Sequence, residues 1–242
     1  MESLNRFRVV DSFWLKVIAL VSMTVDHVAA AMNTAGMNGD WYWPMRYIGR
    51  AAFPVYCFLL VEGFLHTRNR RRYLALLLAF FALSEPIYDL TLNGQLPDWS
   101  NQNVLLTLSL GLGTIWLMER TGQWLGRRDN WLSHLAVFAC LPGLALAELL
   151  NADYGYGGVL LIAAFYLFRN LPLCMCVGAF LVLYFAIGPV ERCALFALIP
   201  ILLYSGRRGR GLNGPVMKYA FYLYYPLHLA VILLLIHSCF PV

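Results

Sequence analysis

The sequence predicts an all-α protein, a polytopic transmembrane helical bundle of nine spans with its N-terminus in the cytoplasm. Three observations predict this. Of 242 residues, 60% are hydrophobic and only 13% charged, with a mean hydropathy of +0.63. An ordinary soluble domain carries about 25% charge, and a chain of this size cannot hide so much apolar surface in one water-exposed core. The apolar residues gather into stretches near the roughly 20-residue length of a membrane-crossing helix, and the basic residues fall almost entirely on one side of the resulting ladder. Together these exclude a soluble enzyme, a nucleic-acid-binding domain and a disordered tail. The net charge of +5 is topology before it is a signal for a polyanion.

The predicted spans are 13–32, 47–65, 72–90, 103–119, 132–150, 155–169, 171–188, 191–205 and 217–238. The sixth and eighth are short, as tilted or partly enclosed helices would be. No internal repeat, low-complexity stretch or long linker divides the chain, so a single domain over residues 1–242 is expected. With the N-terminus inside, the inner segments hold Arg6, Arg8, Lys16, Arg68, Arg70, Arg71, Arg72, Arg120, Arg127, Arg128, Arg169, Arg207, Arg208, Arg210 and Lys218, 15 of the 18 basic residues. Only Arg46, Arg50 and Arg192 fall outside, where Asp40, Asp89, Asp98, Asp153 and Glu191 sit. An odd number of spans follows from this bias. The first apolar run contains Asp26 and His27 and lacks a small-x-small cleavage site, so it is expected to stay as an anchor. The six cysteines lie mostly within spans. Cys174 and Cys176 point to different helix faces with no histidine nearby, so buried free thiols are expected and no metal site.

Ionisable groups inside a span are expensive and mark functional candidates. In the first span, Lys16 and His27 return to within about 20° of the same helix face, roughly 16 Å apart along the axis. Asp26 points about 100° away from His27 and needs a partner from a neighbouring helix, with Arg46 and Arg50 the obvious suppliers. Interhelical hydrogen bonding alone is the competing reading of Asp26 and His27. The second span opens with Arg46 and Arg50 on one face, is expected to kink at Pro54, and carries Glu62 near its cytoplasmic end. Arg46 fits interfacial snorkelling equally well; for Arg50 and Glu62 a structural ion pair competes with substrate binding. The turn HTRNRRRY, with Arg68, Arg70, Arg71 and Arg72, is what an inside loop should contain, yet it also suits phosphate groups.

Glu85 and Asp89, one turn apart at the outer end of the third span, could bind an amine or share a proton. Asn103 and Thr107 open the fourth span. Tyr154-Gly155-Tyr156-Gly157-Gly158 is a small-residue start that allows close helix packing; it is not a dinucleotide fingerprint, since no strand precedes it. His228, within the last span, is a second proton-handling candidate, with helix packing the alternative.

Several segments together resemble the TraX family: DHVAAAM after LKVIALVSMTV, RYIGRAAFPVYCFLLVEGFLHTRNRRRY, SEPIYDL, NVLLTL and FYLYYPLHLAV. The likeness is strongest over residues 11–110 and 217–235. TraX-family proteins are integral membrane proteins best known for N-acetylation of the pilin subunit of conjugative pili. A more distant resemblance is to the membrane-bound acyltransferase-3 families, whose first span carries a basic residue, ten positions and a histidine. Lys16 and His27 match that spacing, although the usual basic residue is arginine. Glu62-Gly63-Phe64 stands where those families have Ser-Gly-Phe.

The resemblance implies a transferase in the bacterial cytoplasmic (inner) membrane that takes acetyl-CoA as co-substrate and needs no metal. Its phosphates would dock on Lys16, Arg68, Arg70, Arg71 and Arg72. His27 would be the general base, with Asp26 or Glu85 orienting it and Arg50 or Asn103 steadying the oxyanion; His228 would assist, and Glu62 and Asp89 would contact substrate. The acceptor at the outer face would be a pilin-like protein N-terminus, a glycan hydroxyl or a small amine; nucleic acid is not a partner. A proton-coupled transporter using Asp26, Glu62, Glu85 and His228 is the alternative, and an assembly scaffold the third. The predicted topology has a direct check. In a cysteine-free background, Gly39→Cys reacts with a membrane-impermeant thiol reagent on intact cells, whereas Asn69→Cys reacts only after permeabilisation; the reverse pattern overturns the orientation.

Overall fold

Asp11 starts the first helix. Its side chain accepts hydrogen bonds from the backbone N–H groups of Phe13 (3.0 Å) and Trp14 (3.1 Å), satisfying two donors that a helix start otherwise leaves open, and α1 follows over Ser12–Thr34. In this computed structural model, residues 8–126, 131–207, 209 and 215–239 are described, without the side chains of 131, 132, 215–218 and 239. Arg6, Arg127, Arg128, Arg208 and Arg210 lie outside the described residues, as do the side chains of Lys218 and Cys239.

The second apolar stretch is two helices, α2 (Tyr42–Gly49) and α3 (Ala52–His66). Pro54 lacks the N–H that would bond the Arg50 carbonyl, and its ring crowds that carbonyl. The expected kink therefore falls upstream of the proline, at Arg50 and Ala51. Helix α4 (Arg70–Tyr88) starts at Asn69, whose side chain accepts from the Arg72 N–H at 2.9 Å. It contains Pro86 and widens into a π-helical turn over Asp89–Asn93, closed by Gly94 at φ 71°. The chain continues as α5 (Val104–Gly126), a 3-10 helix (Trp131–Cys140), α6 (Leu141–Leu149), α7 (Gly155–Leu167), α8 (Pro172–Phe185), a second 3-10 helix (Pro189–Ala197), α9 (Leu198–Leu202) and α10 (Pro215–Cys239).

Among the described residues there is no β-strand, only isolated bridges between Val10 and Tyr204 and between Gln102 and Ala152. The protein is all-helical. Among the described residues, four helical stretches are long and apolar enough to cross a membrane: Ser12–Thr34, Tyr42–His66, Arg70–Asn93 and Tyr219–Ser238. Ser133–Leu149, Gly155–Leu167 and Pro172–Phe185 are shorter apolar helices. The stretch at 191–205 is divided between the second 3-10 helix and α9. Of the described cysteines, all free, Cys57 and Cys140 are buried as expected, but Cys174 is exposed.

The chain forms two compact units, and α3 and α4 each contribute to both. Unit 1 comprises Met1–Leu59, Ala82–Asp98 and Pro189–Val242. Within it, α1 packs on α2, on the π-turn and on α10, while α2 also meets the second 3-10 helix. Small buried residues on α1, Ala19, Ser22, Ala29 and Ala31, let these neighbours approach closely. Val10 ties α1 to the end of α9, donating to the Leu203 carbonyl at 3.1 Å and accepting from the Ser205 N–H at 2.8 Å.

Unit 2 comprises Leu60–Phe81 and Trp99–Gly188. Helix α5 packs on α6, α7 and the first 3-10 helix, and α7 also packs on α8. Leu112, Ile115, Leu161, Ile162 and Phe165 are fully buried. The loop before α7 is clasped by Gln102, which accepts from the Asp153 N–H at 3.0 Å and donates to the Asn151 carbonyl at 2.9 Å. Gly157 supports the close-packing reading of its segment: a Cβ there would stand 2.8 Å from the Ala186 carbonyl oxygen, against rigid backbone. Gly157→Val is therefore expected to destabilise the detergent-solubilised protein by about 1–3 kcal/mol. A thermal unfolding midpoint equal to that of the unsubstituted protein contradicts this packing.

Candidate active site

Neighbouring residues on a helix point about 100° apart, so Asp26 and His27 serve different sides of α1. Asp26 faces α2. Its Oδ2 accepts from Arg46 Nη1 at 2.7 Å and from Arg50 Nη2 at 2.5 Å, and its Oδ1 from Arg50 Nε at 3.2 Å. Both arginines that the sequence offered as suppliers are engaged, because their i,i+4 spacing puts them on one face of α2. Between them lies Gly49, where any Cβ would overlap the Asp26 side chain. That is the close approach that fits a short carboxylate between two guanidinium groups.

Arg50 also reaches the second 3-10 helix, donating from Nη1 to Glu191 Oε1 at 2.8 Å. Asp26, Arg50 and Glu191 are all buried. Two arginines facing two carboxylates leave the cluster formally neutral, which lets it exist away from water. The other Glu191 oxygen, Oε2, is buried with no hydrogen-bond partner among the described residues.

His27 faces α10. Its Nδ1 lies 2.7 Å from His228 Nε2, and the two rings are inclined by only 12°. The other nitrogen of His228, Nδ1, is 2.8 Å from the Tyr224 carbonyl one turn earlier. The Tyr224 ring lies 5.1 Å from the His228 ring at an interplanar angle of 11°, and Tyr225 presents its edge to both histidines. The Tyr224 hydroxyl meets Thr24 Oγ1 at 2.7 Å, and Thr24 donates to the Leu20 carbonyl at 2.8 Å. Tyr224 is therefore the donor in that pair, and it holds α10 to α1 one turn before His27. Both histidines are buried.

The π-turn packs against α1 and α10, the helices that carry the histidines. Asp89 is 2% exposed; its Oδ2 accepts from the Asp98 N–H at 3.0 Å, and its Oδ1 has no hydrogen-bond partner among the described residues. Glu85, one turn earlier, is half-buried. Lys16, near the start of α1, lies with Nζ 4.7 Å from the centre of the Phe221 ring.

The remaining candidates belong to unit 2. Asn103 is fully buried and opens α5: its Oδ1 accepts from the Leu105 N–H at 2.9 Å and its Nδ2 donates to the Phe81 carbonyl at 3.3 Å. The first is the bond of a helix cap; the second ties the start of α5 to α4. Arg70 makes a two-pronged ion pair with Glu119, one contact being 2.9 Å, and lies over the Phe64 ring. Arg68, Arg71 and Arg72 are exposed. Glu62 is half-buried, and its carbonyl meets His66 Nδ1 at 2.8 Å.

The structure thus joins Asp26 with Arg46 and Arg50, and His27 with His228. No hydrogen bond from Asp26 to the His27 ring is present: the carboxylate turns to α2, and His228 supplies the contact at His27 Nδ1. Sequence reasoning gave no partner to Glu191, Thr24 or Tyr224. Glu191 reads as a loop charge at the head of an apolar stretch, and its partner is 141 positions away.

A family model described as "TraX protein" matches residues 12–236. A relative from Dichelobacter nodosus, "Probable fimbrial assembly protein FimC, serogroup H1", is 33% identical over 246 aligned positions, which cover 92% of this chain and 94% of that protein. No solved structure matches.

Removing one partner from a buried ionic cluster strands the other charge, at a cost of about 3–5 kcal/mol. Asp26→Asn, which strands two arginines, is expected to lose that much stability. Glu191→Gln is expected to lose less, because Arg50 keeps Asp26. Unfolding of the purified variants in one detergent measures the order, and equal stability of Asp26→Asn and the unsubstituted protein contradicts it.

Proposed function

The chain belongs to the TraX family, and from that premise we propose that it is a membrane-embedded acetyltransferase carrying acetyl groups from cytosolic acetyl-CoA to an amine at the outer face. The observation that carries the reading is the buried imidazole pair of α1 and α10, with His27 held at Nδ1 by His228. An imidazole in that setting suits general base work, which contributes about 10²- to 10⁴-fold to such reactions. The name of the Dichelobacter nodosus relative, a fimbrial assembly protein, supports a pilin-like subunit as the acceptor, through its N-terminal amine.

In this reading the uncharged amine attacks the thioester carbonyl carbon while His27 Nε2 takes the proton from nitrogen. The tetrahedral intermediate then collapses, the carbon–sulfur bond breaks, and coenzyme A leaves as the thiolate and regains a proton from the imidazolium. The products are the N-acetylated acceptor and free coenzyme A. Asp26 acts at one remove: its pairs with Arg46 and Arg50 set the rotation of α1 and so the direction of His27. Arg50, committed to two carboxylates, belongs to that frame. Asp89 and Glu85 remain candidates for holding the acceptor, Glu62, near the cytoplasmic end of its span, for contacting the donor, and Asn103 acts through the helix it caps.

The donor's phosphates would dock on the turn between α3 and α4. Arg70 is already paired with Glu119, so the exposed Arg68 and Arg71 are the cations expected to meet those phosphates. In this reading the chain crosses the bacterial inner membrane nine times with its N-terminus in the cytoplasm and residues 1–242 as one domain, which would put that turn inside the cell where acetyl-CoA is made.

Isothermal titration of acetyl-CoA into the detergent-purified protein tests the donor. Micromolar affinity is expected, weakened several-fold by Arg68→Ala with Arg71→Ala. His27→Ala is expected to bind the donor as before while transfer falls about 10²- to 10⁴-fold. Undiminished transfer by that variant overturns the base assignment. A folded protein that binds no acetyl-CoA favours the proton-coupled carrier instead.

A further inference from the structure

The hydrogen bonds around the histidine pair run in one direction only. A backbone carbonyl has lone pairs and no proton, so the nitrogen that meets the Tyr224 carbonyl, His228 Nδ1 at 2.8 Å, must carry the hydrogen. In a neutral imidazole one nitrogen donates and the other accepts, which leaves His228 Nε2 as an acceptor. His27 Nδ1, 2.7 Å from that nitrogen, must then carry a hydrogen of its own. The proton order is thereby set along the whole chain, from the Tyr224 carbonyl through His228 to His27, and the nitrogen left with a free lone pair is His27 Nε2.

We propose that His228 is a positioning residue which holds His27 in the Nδ1–H tautomer, so that Nε2 is the basic nitrogen. Free histidine favours the opposite tautomer, with its proton on Nε2. Without an acceptor at Nδ1, the resting ring would therefore carry a proton on the atom that has to take one. The lever is rigid for reasons that do not involve His27. The helical Tyr224 carbonyl fixes one nitrogen of His228, the Tyr224 and Tyr225 rings flank its imidazole, and the Tyr224 hydroxyl is anchored on Thr24 of α1. The consequence for catalysis rests on the acetyl-transfer reading of His27; the tautomer itself does not, since it is a property of the resting protein.

The test uses the full chain in detergent micelles with ¹⁵N-labelled histidine and no donor or acceptor present. The resonances of His27 are assigned by their disappearance in His27→Gln. Two-bond nitrogen–proton correlations are expected to show a protonated Nδ1 and a pyridine-like Nε2. Nε2–H as the resting form in the unsubstituted protein overturns the proposal, and this reading needs no variant at position 228.

Two variants then separate positioning from mere packing. His228→Gln places an amide oxygen near the position of Nε2 and is expected to keep the Nδ1–H tautomer and most of the transfer rate. His228→Leu removes the acceptor and is expected to move His27 to the Nε2–H form, with kcat falling by about 10²-fold or more and KM for acetyl-CoA changing less than about twofold. Equal losses in the glutamine and leucine variants, with the tautomer unchanged in both, also overturn it. If the tautomer is as proposed but no acetyl transfer is found, the positioning stands and the acetyltransferase reading fails. If transfer proceeds with His27 in the Nε2–H form, the reverse holds.

Discussion

Arg50 sits where three helices must meet, and its charge dictates how they do. A guanidinium taken out of water costs several kcal/mol unless carboxylates and hydrogen bonds replace the lost solvation. Asp26 on α1 and Glu191 on the second 3-10 helix supply both, and Arg46 balances the remaining charge. Because neither carboxylate can leave without stranding a cation, α1, α2 and the segment at 189–197 are held in one register. Pro54 contributes from a distance: by interrupting the helix at Arg50 and Ala51, it ends α2 at Gly49 and leaves Arg50, with the key side chain, as the residue that caps it.

That register in turn orients the other side of α1. Once Asp26 is committed to α2, the 100° turn between consecutive helical residues sends His27 toward α10. Thr24, one turn earlier, receives the Tyr224 hydroxyl and fastens the two helices together. Helix α1 therefore works as a spine, with an ionic seam on one side and an imidazole seam on the other. The π-turn that packs beside α10 leaves the buried Asp89 with one oxygen unsatisfied among the described residues; such widened turns are frequent at functional sites.

The basic turn between α3 and α4 shows how a patch that looks uniform in sequence is divided by structure. Arg70 is drawn into unit 2 by Glu119 and by the face of Phe64, whereas Arg68, Arg71 and Arg72 are exposed. An arginine paired with a carboxylate over an aromatic ring is a packing element first. The four arginines of one turn thus serve two ends, the anchoring of a helix start and the presentation of positive charge.

The amino-acid sequence by itself determined the all-helical, apolar character of the chain. Composition and the length of apolar runs are local properties that lipid or a core must satisfy whatever the topology. It also determined that Asp26 needs a cation, since a lone carboxylate among apolar residues is too costly, and the i,i+4 pair Arg46 and Arg50 was legible as its source. What it could not decide was pairing across long separations. Glu191 reads as an ordinary loop charge until folding brings it to Arg50, and His228 reads as a proton-handling candidate whose partner stays unknown until α10 lies against α1. Helix periodicity says which residues share a face but not which helix that face will meet. That choice is made by side-chain fit and charge cancellation in three dimensions, and only the tertiary structure made it.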